Sequence, residues 1–131
     1  MNEDVKAKWI ARLEDPSARQ GRGALSTNRG DCCLGVLCKI AVEEGVIPEP
    51  EGVSHQGALV FSGNDQVLPR EVASWAGLTG PDKGNPMVVS PVNYSESDTF
   101  SFHAGDRVGL ASLNDHALNF VGIAGVIREQ L

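Results

Sequence analysis

Three cysteines, Cys32, Cys33 and Cys38, stand within one seven-residue window. They open the most apolar helix-like stretch of the chain. A thiol at a helix N-terminus feels the positive end of the helix dipole, which favours the thiolate. Cys32 or Cys33 is therefore a candidate nucleophile. A thiol hydrolase also needs a base, and the candidates are His55, His103 and His116. The competing reading is structural. Cysteine behaves as a small hydrophobe, and a helix carrying Cys33, Leu37 and Cys38 reads as core. The spacing suits neither a disulfide nor zinc. Adjacent cysteines rarely bridge, and zinc wants paired cysteines or Cys and His at short separations. No metal and no cofactor is expected.

Two polar segments could bind a ligand. In Gln20-Gly21-Arg22-Gly23 the glycines let the backbone approach closely while the guanidinium forks onto a phosphate or carboxylate. In Leu113-Asn114-Asp115, an amide and a carboxylate can read a base or ribose edge. Each has a plain alternative: a solvated arginine in the first, a cap for the following helix in the second. His116, Trp75 and Arg107 are further stacking or charge partners. The expected site comprises Gln20, Arg22, Asp31, Cys33, Arg107, Asn114 and Asp115. It would lie between the Gln20–Gly23 loop, the start of the cysteine helix and Asn114-Asp115.

The elements that must position these residues are short. The spacing of Val5, Trp9 and Leu13 predicts a helix over Asp4–Glu14, stopped by Asp15-Pro16. Ala24–Ser26 and the turn Asn28-Arg29-Gly30 suggest a small hairpin running into Asp31 or Cys32. A central buried helix is expected over Cys33–Glu44, closed by Gly45. Ala58–Phe61 reads as a strand, with Gln66–Leu68 pairing back through Gly63-Asn64-Asp65. Pro69 suits the start of a helix over Arg70–Ala76, closed by Gly77. From Leu78 to Asp106, with Pro81, Pro86 and Pro91, only Met87–Val89 reads as a strand. The polar run Asn93–Thr99 reads as an exposed loop. After the short apolar run Val108–Leu113, the last helix is expected over Asn119–Gln130. Gly122 and Gly125 within it suggest close approach of another backbone. The expected fold is α+β: a small antiparallel sheet of short strands packed with three to four helices, the Cys33–Glu44 helix central.

At 131 residues the chain is expected to form one domain, residues 1–131. Its net charge of −6 loses the electrostatic term that drives general nucleic-acid binding. A local pocket for a small anion remains compatible with it, as does a basic protein partner. No apolar run approaches the ~18 residues of a membrane span. The acidic start, Met1–Lys6, is not a secretory signal. Free thiols in odd number fit a reducing cytoplasm.

Asp31-Cys32-Cys33-Leu34-Gly35-Val36 resembles in part the Asp-Cys-Ser-Gly start of NlpC-type cell-wall peptidases, and Phe120-Val121-Gly122-Ile123 their His-Val-Gly-Ile strand. Leu34 replaces the serine and Phe120 the catalytic histidine, so the hydrolase would have to use Cys32 or Cys33 with His116. A second resemblance covers nearly the whole chain. It is carried by Gln20–Leu25, Cys32–Cys38, Leu68-Pro69, Trp75–Leu78, Leu110–Asp115, Phe120 and Ile123-Ala124. This series resembles a family of small proteins, without assigned activity, found in tailed phages, prophages and actinobacteria. Ala117-Leu118 stands where that pattern commonly has a glycine. The resemblance implies the cytoplasm of an infected or lysogenic bacterium. By analogy of role, not of matched residues, the leading expectation is a non-catalytic sponge. It would sequester a cyclic nucleotide or ADP-ribose-derived immune signal, and it is a possible homo-oligomer. The alternative is a protein–protein inhibitor of a host factor, using the acidic surface and the Pro81–Thr99 segment.

Overall fold

The computed structural model describes residues 1–80 and 82–131. Pro81, at the head of the irregular segment, lies outside the described residues. Helix α1 (Glu3–Glu14) begins where the Asn2 side chain accepts from the Val5 N–H, and it buries Val5, Trp9 and Leu13. A short antiparallel hairpin follows, β1 (Ser26–Thr27) with β2 (Gly30–Asp31). It delivers the chain into α2 (Cys33–Glu43), whose buried face includes Leu34, Leu37, Cys38 and Ala41. This helix ends as its glycine suggests. Gly45 takes φ 77°, and the Val46 N–H reaches back to the Ala41 carbonyl. Helix α3 (Arg70–Ala76) follows Pro69 and closes on Gly77 in the same left-handed conformation.

The remaining strands form two two-stranded antiparallel sheets that follow one another end to end as a bent ribbon. Strand β3 (Met87–Val89) pairs antiparallel with β6 (Arg107–Gly109), and β4 (Tyr94–Ser97) with β5 (Phe100–Phe102). The two pairs share a register. Bonds from the Ser90 N–H to the Asp106 carbonyl and from the Gly105 N–H to the Ser90 carbonyl carry the ladder between them. Pro91, which has no N–H to give, sits at the bend. On the outer edge of β3, the Gln130 side chain clamps Val89: its Oε1 accepts from the Val89 N–H at 2.7 Å and its Nε2 donates to the Val89 carbonyl at 2.8 Å. After β6 come one turn of helix, α4 (Leu110–Ser112), a π-helical turn (Leu113–Ala117), and α5 (Phe120–Gln130).

The fold is α+β, with α2 central as expected. Helix α1 lies against both α2 and α5. The buried Trp9 indole donates to the Cys33 carbonyl at 2.8 Å, locking α1 to the first turn of α2. Exposed ion pairs, Arg12 with Glu43 and Arg128 with Glu14, decorate these seams. Such pairs contribute about 0–1 kcal/mol each, so the apolar faces carry the packing. Among the described residues no helix is long and apolar enough to cross a membrane.

Several expectations are corrected. Ala58–Phe61 is not a strand. It makes only isolated antiparallel bridges, Leu59 with Val53 and Phe61 with Asn64, while the Leu59 N–H turns to Ser26, and the apolar run reports the burial of Ala58 and Phe61. Gln66–Leu68 does not pair back, since the Leu68 N–H turns to the Gly84 carbonyl. Asn93–Thr99 is not a loop, because it supplies β4 of the ribbon. Its outward positions are polar, which hid the inward Tyr94. The last helix is capped by Asn119, whose Oδ1 accepts from the Gly122 N–H, and not by Asn114 or Asp115. Gly125 faces open space.

The close approach occurs at Gly35 instead. A Cβ there would overlap the Leu25 carbonyl, which lies across the first turn of α2 and accepts from the Cys32 N–H at 3.0 Å. Both obstructing atoms belong to backbone, so neither can swing aside. Gly35→Ala should therefore destabilise the protein by about 2–3 kcal/mol, as overpacking of a filled site does, although alanine is the better helix former. Urea denaturation checks this. An unchanged midpoint would mean that the β1 end moves freely.

Candidate functional site

Cys32 is the N-cap of α2, with its Sγ accepting from the Gly35 N–H at 3.4 Å. All three thiols are buried. Burial pushes the Cys32 thiol up to about 11, outweighing the helix N–H groups that pull it down. Cys33 and Cys38 are raised further for the same reason. Burial favours the core reading of these cysteines over the nucleophile, because desolvation of the charge exceeds what the helix terminus returns. The His116 ring lies against Phe100, with centroids 4.7 Å apart, and against Tyr94 at 5.4 Å. Among the described residues it makes no hydrogen bond to a thiol.

The three segments expected to flank a pocket do meet, through Asn114. This side chain is completely buried in the π-helical turn. Its Oδ1 accepts from Gln20 Nε2 at 3.0 Å and from the Cys33 N–H at 3.1 Å. Its Nδ2 donates to the Gly21 carbonyl and to Asp115 Oδ1, both at 3.0 Å. Gln20 Nε2 also donates to the Leu118 carbonyl at 2.9 Å. Asn114 therefore caps a helix, but it is α2, reached from 81 residues away. Its amide and one Asp115 oxygen are occupied by protein groups, so this junction is a packed joint and not a cavity. Asp31 is likewise engaged, accepting from the Ser26 hydroxyl at 2.6 Å and pairing with Lys39 at 2.9 Å.

The open space lies beside the joint. Arg22 lines a groove of about 800 Å³ together with Thr27, Asn28, Arg29, Val53 and Gln56. Arg107 lines a different groove, of about 500 Å³, with Phe100 and Phe102. Among the described residues, Lys8, Arg12, Lys39 and Arg128 each pair with a carboxylate, whereas Lys6, Arg19, Arg22, Arg29, Arg70, Lys83 and Arg107 do not; of these, Arg22 and Arg29 share one groove. In the sequence, Arg29 reads only as part of a turn. Its signal was the hairpin itself, which brings the Asn28–Gly30 turn beside the Arg22 loop by a bond from the Gly21 N–H to the Asp31 carbonyl. Among the described residues no group of three or more His, Cys, Asp or Glu side chains is placed to hold a metal.

The whole chain, residues 1–131, matches the model of a family described as a domain of unknown function (DUF8296), and the protein belongs to that family. No curated protein and no solved structure matches it.

Three outcomes follow from this geometry. A thiol-reactive probe at neutral pH should label the native protein slowly and all three cysteines promptly after unfolding; rapid native labelling of Cys32 or Cys33 would contradict the burial argument. Because the folded Cys32 pKa is raised, the folded state holds the proton more tightly than the unfolded chain. Its contribution is intact below the ordinary thiol value of 9.0 and is lost as pH rises towards about 11, so stability should fall through that window. Asn114→Ala strands the Cys33 N–H and the Gly21 carbonyl, and should cost about 3 kcal/mol at ~1–3 kcal/mol per buried unpaired group. In calorimetry the loss should be strongly non-additive with Gln20→Ala, since both remove one joint.

Proposed function

We propose that this member of the DUF8296 family is a non-enzymatic binding protein that captures a small anionic ligand of the nucleotide class. The site is the groove lined by Arg22 and Arg29. One observation carries the reading: on a protein of net charge −6, two guanidinium groups line one groove and neither meets a carboxylate among the described residues. Forked donors without an internal acceptor suit phosphate. Thr27, Asn28 and Gln56 add hydrogen-bonding groups around them. Val53, 65% exposed, offers an apolar surface for a sugar or base. Protonated, buried thiols favour capture over turnover. In the phage or prophage setting that the sequence resembles, such a protein acts in the bacterial cytoplasm as a sponge for a cyclic nucleotide or ADP-ribose-derived immune signal. Burying most of such a ligand requires closing an open groove, which a second copy of the chain would accomplish.

A second reading, inhibition of a basic host protein, is favoured by the exposed tip of the ribbon, where Glu96 lies in β4 and Asp98 in the β4–β5 turn.

Calorimetric titration with cyclic dinucleotides, cyclic trinucleotides and cyclic ADP-ribose isomers tests the first reading. One of them should bind at micromolar concentration or below, and Arg22→Ala and Arg29→Ala should each weaken it by about tenfold or more, the loss of a charged hydrogen bond. If none binds more tightly than millimolar, the reading falls. A host protein recovered in stoichiometric amount with the bare chain would then favour the second.

A further inference from the structure

We propose a second ligand site, independent of the first, in the groove between the ribbon and the α4 turn. It takes a planar aromatic ring bearing one anionic arm. The ring's seat is Phe100. This side chain is 37% exposed, yet it is held on several sides. It lies edge-on to Tyr94 with centroids 5.9 Å apart, edge-on to Phe102 at 6.3 Å, and against His116 at 4.7 Å. Tyr94 is stacked on Phe102 in turn, at 5.4 Å. An exposed aromatic side chain ordinarily moves among rotamers. One fixed by three aromatic neighbours is a preorganised stacking surface, and preorganisation is what lowers the cost of binding.

The anionic arm is met by Arg107, which lines the same groove of about 500 Å³. Its guanidinium has no carboxylate partner among the described residues. Asp106 also lines this groove, with its Oδ2 turned to the His103 N–H at 2.8 Å within its own turn. The backbone at Arg107 adds to this. In an antiparallel pair the two residues opposite each other both direct their N–H and C=O groups inward or both outward. Arg107 is opposite Val89, and Val89 directs its groups outward to Gln130. Arg107 therefore presents its own N–H outward on the other edge of the ribbon. The hydroxyls of Ser101 and Ser112, also in the groove wall, have no hydrogen-bond partner among the described residues. Fixed ring, free guanidinium and accessible hydroxyls together match a mononucleotide-sized aryl anion better than a purely apolar or purely anionic one.

The probes are adenosine monophosphate, adenosine and ribose 5-phosphate, titrated into the full chain and followed by amide chemical shifts. The monophosphate is expected to bind at least about tenfold more tightly than either fragment, shifting Phe100–Phe102 and Arg107–Gly109. Phe100→Ala and Arg107→Ala should each weaken it at least about fivefold, while Arg22→Ala leaves it unchanged. Equal affinity for the fragments, or affinity indifferent to Phe100 and Arg107, overturns the proposal. Loss on Arg22→Ala alone would overturn it too, while placing the nucleotide in the groove of the proposed function, so the two readings fail separately.

Discussion

One buried amide joins three segments of this protein that are distant in sequence. Asn114 sits in a π-helical turn, a geometry that widens the helix and is often found where a side chain must be re-aimed. Both its donors and its acceptor are used, on Gln20, Gly21, Cys33 and Asp115. In a low-dielectric interior each of these bonds is stronger than in water, and each would be costly to leave unmade. The consequence is positional precision. The loop that carries Arg22, the first turn of the central helix and the segment before α5 have one mutual arrangement. The open grooves on either side inherit their walls from it.

The cysteine segment shows how two familiar effects compete. A helix terminus lowers a thiol's pKa, and Cys32 does receive N–H groups from the first turn of α2. Yet the terminus is covered by the Leu25 backbone, by Trp9 through the Cys33 carbonyl, and by Asn114. Once water is excluded, the charged form loses more than the terminus restores. The same sequence with an open helix start would be a reactive-thiol motif; closed, it is the middle of a core.

Much of the architecture was readable from local pattern. The three long helices and α3 follow from apolar spacing, from Pro69 and from glycines at their ends, all signals that depend on a few neighbouring residues. What escaped depends on distant partners. Gly35 reads as an ordinary helix glycine until Leu25 is laid across it. The ribbon was hidden because Tyr94, Phe100 and Phe102 are separated by polar residues that face outward, so no apolar run marks the strands. At the joint, residue types were informative in a different way. Gln20, Cys33 and Asn114 do come together, but an amide that can read a ligand's edge can equally well read a helix terminus. Only the count of its bonds distinguishes the two. Arg29 was missed because a turn residue's neighbours across a hairpin are not its neighbours in sequence.

The clamp of Gln130 on Val89 has a consequence of another kind. A ribbon with an unpaired outer edge is a template on which a second extended chain can add, the first step towards intermolecular sheets. Here the outward N–H and C=O of Val89, at the end of β3, are occupied by a side-chain amide from the last turn of α5. That amide mimics one residue of a neighbouring strand but cannot be followed by another. The end of the final helix thereby blocks strand addition at this point of the β3 edge. A chain whose last turn frays would lose solubility before it lost its fold.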